Sequence, residues 1–234
     1  MNQNNLDVIK KIKSKKVHIK DNNNNENDTL DFYSSWALYE LSEQDIRKYI
    51  PKGNLHLPTG DLSFPDDSDE VLSEKINTDV IMYALNASPR GINKGGPWLN
   101  FHDIRPKSHD SRLLFELLDT KFWGAYMSDL FKDFTKPSET LDVDKLISDM
   151  NSDEDNEAKR NLKILQFEID TINPRIIILY HEKSEDAFNK MIKAGLIKIP
   201  DNCQTVYRPH YSRGDGYEKR SKALVKESKE IYGE

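Results

Sequence analysis

The stretch Val80-Ile81-Met82-Tyr83-Ala84-Leu85, running into Asn86-Ala87-Ser88-Pro89-Arg90-Gly91, decides the fold. Its apolar run is short and shows no alternation of apolar and polar positions. A strand with one face in water alternates; a continuous run reads as a strand covered on both faces. That is the pattern of a parallel sheet with helices on each side. The small and turn-forming residues that follow end the strand and let backbone amides approach a ligand closely.

The same rhythm recurs downstream. A helix is expected around Leu113, Leu114, Leu117 and Leu118, then a strand at Trp123-Gly124-Ala125-Tyr126-Met127 with Ser128–Asp133 as the loop after it. A helix around Leu162, Leu165 and Ile169 leads to a strand at Ile176–Tyr180. Ser184 opens a helix carrying Phe188, Met191 and Ile192, Thr205-Val206-Tyr207 is a fourth short strand, and residues 216–232 form a closing helix. The expected fold is therefore α/β, a three-layer α/β/α sandwich on a short four-stranded parallel sheet. In such sheets ligands sit beyond the carboxyl ends of the strands.

Upstream, residues 29–50 read as helical, with Phe32, Trp36, Tyr39 and Tyr49 as apolar surface and Ser42 capping a fresh helix. Residues 1–20 hold six lysines and one acid, with Leu6, Ile9 and Ile12 at helical spacing. They read as a frayed basic helix or as a DNA-contacting arm. The asparagine-rich joint that follows makes 1–28 an arm and linker, and 29–234 a single domain. The segment 139–157 carries eight acids and one lysine and reads as a solvated loop or a protein-interaction insert.

Composition bounds the possibilities. At 234 residues and 27.2 kDa the chain suits one domain, and its mean hydropathy is -0.76. A lone Cys203 excludes an internal disulfide and a cysteine-ligated zinc or iron–sulfur site. No run reaches the roughly 18 apolar residues of a membrane helix, and the N-terminus has lysines and asparagines where a secretory leader needs apolar residues. The expectation is a cytoplasmic monomer without a cofactor or membrane partner.

The strand-end loops hold the candidate chemistry. Asn86 can orient a water or a ligand edge, or cap its own turn. Asp129 can accept from a ligand, or cap a turn. Tyr180-His181-Glu182-Lys183-Ser184 reads as a structural strand ending. Arg208-Pro209-His210-Tyr211-Ser212-Arg213 places a histidine on a proline-stiffened loop between two arginines. Neutral imidazole can donate to a developing anion, and arginines hold phosphates. His102-Asp103 and His109-Asp110 lack the spacing and the further ligands of a metal site. There is neither a phosphate-cradling Walker motif nor a G-x-S-x-G elbow.

The order of these parts resembles the uracil-DNA glycosylase superfamily, over roughly residues 75–232. Ala84-Leu85-Asn86-Ala87-Ser88 looks like the motif ending the family's first strand, His210-Tyr211-Ser212 like its late His-Pro-Ser loop, and Ser128–Lys132 like the strand-end segment between them. Asn173-Pro174-Arg175 is similar to the approach to the family's third strand. The Asn-Ala-Ser and Trp-Gly-Ala-Tyr-Met segments also resemble a bacterial glycosylase-like group. The sequence departs from the family pattern at Ala87 and Tyr211, each in place of a proline, and at Asp129, where uracil-reading members have asparagine. An ionised aspartate only accepts hydrogen bonds, so it repels the carbonyls of uracil and suits a base with an exocyclic amine.

The resemblance implies a DNA glycosylase that takes a flipped or single-stranded nucleotide and hydrolyses the N-glycosidic bond of a modified or deaminated base. Asn86 and His210 are the expected catalytic pair, with Trp98, Phe101 and Asp129 on the base and Ser88, Arg90, Arg208, Ser212 and Arg213 on phosphates. The alternative is a nucleotide or nucleic-acid binding protein of the same fold that does not cut. The net charge of -6 opposes nucleic acid only as a total. Residues 89–112 and 207–222 each carry five bases and two acids, so the segments around the expected site are positive.

Overall fold

The computed structural model describes residues 2–17, 29–48, 62–86, 96–103, 108–132, 134, 140–212 and 217–233. Among the described residues it is an α/β sandwich whose sheet has five strands where the sequence pattern predicts four. β1 (Ser34–Trp36), β2 (Asn77–Asn86), β3 (Ala125–Phe131), β4 (Ile176–Tyr180) and β5 (Gln204–Arg208) lie in the order β1-β3-β2-β4-β5. The four expected strands are parallel to one another. The added strand, β1, pairs antiparallel with β3, Ser34 opposite Ser128 and Trp36 opposite Tyr126. It corrects the helical reading of that segment: all three of its residues are buried, and three residues are too short to show a period. The Ser42 cap does form, its hydroxyl accepting from the Asp45 N–H ahead of the short helix α2 (Glu43–Arg47).

One face of the sheet carries α4 (Asp110–Leu117) and α8 (Tyr217–Tyr232), packed through Leu113, Leu117 and Leu224 onto Val80, Met82, Met127 and Ile178. The other carries α1 (Gln3–Ser14), α5 (Val143–Asn151), α6 (Glu157–Ile172) and α7 (Glu182–Lys193), with α3 (Asp69–Lys75) beside α1. The helix on the basic N-terminus is built into this second layer. Leu6, Val8, Ile9 and Ile12 are buried, and the Asn5 amide donates to the carbonyls of Ser73 (3.0 Å) and Ile76 (3.3 Å). The acidic segment also contributes, since α5 buries Val143, Leu146 and Met150. Among the described residues no helix is long and apolar enough to cross a membrane.

Gly124 locks the start of β3 to the start of β2. Its backbone has φ +79°, its carbonyl accepts from the Asn77 N–H at 2.9 Å, and a Cβ placed on it would lie 2.5 Å from the Lys75 carbonyl oxygen. Gly124→Ala is expected to lower stability by about 1–3 kcal/mol more than Gly195→Ala. Gly195 shares a positive φ but has open space around it, so the difference between their urea midpoints isolates the backbone clash.

Candidate functional site

The chain leaves the central strand β2 toward β3 on one side and returns to β4 on the other. That reversal puts the ligand-binding end of the sheet at the carboxyl ends of β2 and β4. Ala84 pairs with Asp129, and Tyr180 pairs with Arg208. The β2–β4 register, Tyr83 beside Leu179, brings Ala84 level with Tyr180. Asp129, Ala84, Tyr180 and Arg208 thus form one row across this end of the sheet.

His210 lies two residues beyond β5. Its Nδ1 accepts the Ser212 backbone N–H at 3.1 Å and lies 2.8 Å from the Ser212 hydroxyl. An amide N–H can only donate, so Nδ1 carries no proton and the ring is held as the Nε2–H tautomer. Burial first, and then the positive character of His181, Arg220 and His109, bring its pKa down to about 4. At neutral pH it is a neutral donor. Its ring stacks on Tyr211 with centroids 4.3 Å apart. Arg220 of α8 fixes the loop by donating to the His210 carbonyl at 2.8 Å and the Pro209 carbonyl at 3.0 Å, while ion-paired with Glu116 of α4 at 2.5 Å.

His181, read from sequence as a structural strand ending, occupies a left-handed backbone position at φ +88°. Its Nδ1 accepts the Lys183 N–H at 3.0 Å as the cap of α7. The His181 and His210 rings sit edge to face, 6.3 Å apart.

Asp129 lies inside β3, which runs on to Phe131; the reading of Ser128–Asp133 as a loop is corrected for Ser128–Phe131, and Asp133 lies outside the described residues. Three per cent of Asp129 is exposed, and its Oδ2 accepts from the Asn100 amide at 3.0 Å. Burial pushes its pKa up to about 6, against the lowering effects of Asn100 and Lys132. Asp110, at the start of α4, is also pushed up to about 6 by burial, with the charge of Asp103 adding to it. A carboxyl with a folded pKa above its unfolded value stabilises the fold fully below the unfolded value. That contribution is lost as pH rises through the folded value. For Asp129 the window runs from 3.8 to about 6. Asp129→Asn keeps an acceptor for Asn100 and removes the loss. It is expected to be more stable than the parent near pH 8, by about 2–3 kcal/mol, and no more stable near pH 4. Urea midpoints at the two pH values check this.

The other expected site residues separate. Asn86 ends β2, its amide donating to the Phe134 carbonyl at 2.8 Å. Trp98 and Phe101 are 4% and 8% exposed, and both hold left-handed backbone, φ 62° and 66°. Trp98 packs on Trp36 with centroids 6.0 Å apart, while Phe101 joins the cluster of Tyr180 and Tyr211. Arg208 is engaged within the fold, bonding Glu227 at 3.0 Å and the Arg220 carbonyl at 2.9 Å. Ser212 stays with His210. Ser88, Arg90 and Arg213 lie outside the described residues. His102 turns into the core, with Nδ1 2.6 Å from the Leu62 carbonyl and a pKa brought down by burial to about 4.

Sequence reasoning missed Asp110, Tyr39, Arg220 and Glu116. Asp110 and Glu116 are acids flanking the apolar run Leu113-Leu114-Phe115 of α4, which was the one local hint. Compared with known proteins, the chain matches no protein-family model and no curated protein.

Proposed function

We propose that this protein is a DNA glycosylase-like hydrolase, acting as a cytoplasmic monomer. It would bind a flipped or single-stranded nucleotide at the carboxyl end of the sheet and cleave the N-glycosidic bond of a modified or deaminated base. The observation that carries this reading is His210: a histidine held neutral, with its Nε2 proton fixed by the Ser212 backbone, at the carboxyl ends of the four parallel strands. A preorganised neutral donor stabilises negative charge as it develops on a departing base. Asn86, at the end of β2, would orient the attacking water, which adds to the sugar C1′ as the bond to the base breaks. No carboxylate replaces Asn86 as a strong base, so the reaction leans on the leaving group. The positive segments 89–112 and 207–222 would meet the DNA backbone.

The test is a set of labelled oligonucleotides carrying uracil, hypoxanthine, xanthine, oxidised guanine or alkylated bases, single- and double-stranded. Base release leaves an abasic site that alkali cleaves. One observation favours a second reading, a nucleotide-binding protein that does not cut: Asp129, at the position where the family's uracil-reading members commonly have asparagine, is a buried carboxylate held by the Asn100 amide. A mobility shift with no alkaline cleavage of any oligonucleotide selects that reading.

A further inference from the structure

Two carboxyl groups stand around Tyr211, the ring that stacks on His210, with no ion-pair partner among the described residues. Asp129 meets the Asn100 amide at 3.0 Å, and Asp110 accepts the Asp103 N–H at 2.9 Å while facing the Tyr211 hydroxyl at 3.4 Å. Tyr211 feels the charge of both. None of the cations packed nearby forms an ion pair with either carboxyl group. Lys132 donates to Glu168 and to the Asp129 carbonyl, Arg220 to Glu116 and two loop carbonyls, and Arg112 to the Ser212 carbonyl, its Nε being buried without a partner. A buried carboxylate left uncompensated destabilises a fold and marks a place where something else supplies the charge.

A second, independent feature points the same way. The hydroxyls of Tyr39 and Tyr180 are buried and have no hydrogen-bond partner. Tyr39 is 6% exposed and close enough to Asp110 for that charge to oppose its ionisation. Buried polar atoms are almost always satisfied, so unsatisfied ones call for a ligand or an ordered water. Carboxylates beside aromatic rings, here Tyr39 and Tyr211, with Tyr180 and Phe101 packed in the cluster of Tyr211, recognise a flat cation: the charges attract it and the π-faces hold it.

We infer that the site takes a cationic nucleobase, one alkylated on a ring nitrogen, in preference to a neutral deaminated base. The inference rests on the glycosylase reading for the nucleotide and adds the charge of the base. Hydrolysis then balances simply. Water oxygen bonds to C1′, the C1′–N bond breaks, its electron pair stays on the base nitrogen and cancels the cation, and the water's proton passes to solvent. A neutral His210 adds no charge against the cation, since an imidazolium would repel it, and its Nε2–H meets the electron density that returns to an acceptor atom of the base as the C1′–N bond breaks.

The experiment titrates the full chain with 1-methyladenosine, a cation at neutral pH, and with adenosine, inosine and uridine, by calorimetry. The expected result is at least a roughly tenfold preference for 1-methyladenosine. Asp129→Asn and Asp110→Asn, prepared separately so that poor folding of one leaves the other, should each erase most of it. Equal affinities, or a preference that survives both substitutions, overturn the inference. Release of uracil or hypoxanthine from DNA without release of alkylated bases overturns it too and leaves the glycosylase reading standing. Cation preference with no base release from any oligonucleotide supports the inference and removes the hydrolase.

Discussion

His210→Ala should slow base release by on the order of 10²–10³ while the protein stays folded, a loss typical of removing one preorganised donor. The ring is partly exposed and its side-chain bonds are confined to Ser212, two residues away. Its loss therefore opens little of the core. Ser212→Ala removes the hydroxyl but keeps the backbone N–H that sets the tautomer, so its effect should stay within roughly tenfold. The pH profile separates His210 from the carboxyls. An ordinary histidine would gain its proton near 6.5, whereas His210, with its pKa down at about 4, stays neutral as pH falls through that range. A loss of rate near pH 6 therefore belongs to Asp110 or Asp129, both raised to about 6, and should vanish from the profile of the corresponding asparagine variant. Single-turnover release from an oligonucleotide substrate measures all three. A His210→Ala protein as fast as the parent sinks the mechanism.

The parallel sheet was legible because continuous apolar runs as short as Val80–Leu85 and Ile176–Tyr180 suit a strand covered on both faces and little else. The edge strand β1 was not, because Ser34-Ser35-Trp36 owes its burial to β3 and not to any pattern of its own. The end of β3 was misplaced for a related reason. Ser128, Asp129 and Lys132 look like loop residues, yet they are buried because partners far along the chain satisfy them: Glu168 for Ser128 and Lys132, Asn100 for Asp129. His210 stood out locally, on a proline-stiffened loop between arginines. Asp110 and Tyr39 did not, since their meaning depends on a junction of α4, β3 and the loop after β5 that no local spacing encodes. The basic N-terminal helix shows the same limit. Its lysines suggested an arm, but Leu6, Ile9 and Ile12 fix it in the core.

Lys132→Met should destabilise the protein by about 3–5 kcal/mol, because it strands the Glu168 carboxylate in the core. Lys132 and Glu168 are 1% and 0% exposed, with Nζ and Oε2 2.8 Å apart. Glu168 also accepts from the hydroxyls of Tyr126 (2.9 Å), Ser128 (2.8 Å) and Tyr83 (3.3 Å). Burial and then the Glu168 charge hold both phenols well above their ordinary range, so they remain protonated donors. A carboxylate so supplied is satisfied only while the lysine balances its charge. Domains of this size are stable by about 5–15 kcal/mol, so the single substitution threatens folding itself. Adding Glu168→Gln removes the stranded charge and should restore part of the loss, as expected when an unpaired ion costs more than a missing pair. The urea midpoints of the parent, the single and the double variant, compared at constant slope, decide it. A single variant within about 1 kcal/mol of the parent would mean that water reaches the pair. The same lysine donates to the Asp129 carbonyl at 2.8 Å, and its own N–H is held by the Asn161 side chain at 2.8 Å. The network on one face of the sheet thus fixes the backbone that carries Asp129 on the other. The double variant should accordingly regain stability before it regains ligand affinity, since Glu168→Gln relieves the stranded charge but leaves the Asp129 carbonyl without the Nζ–H that Lys132 supplied.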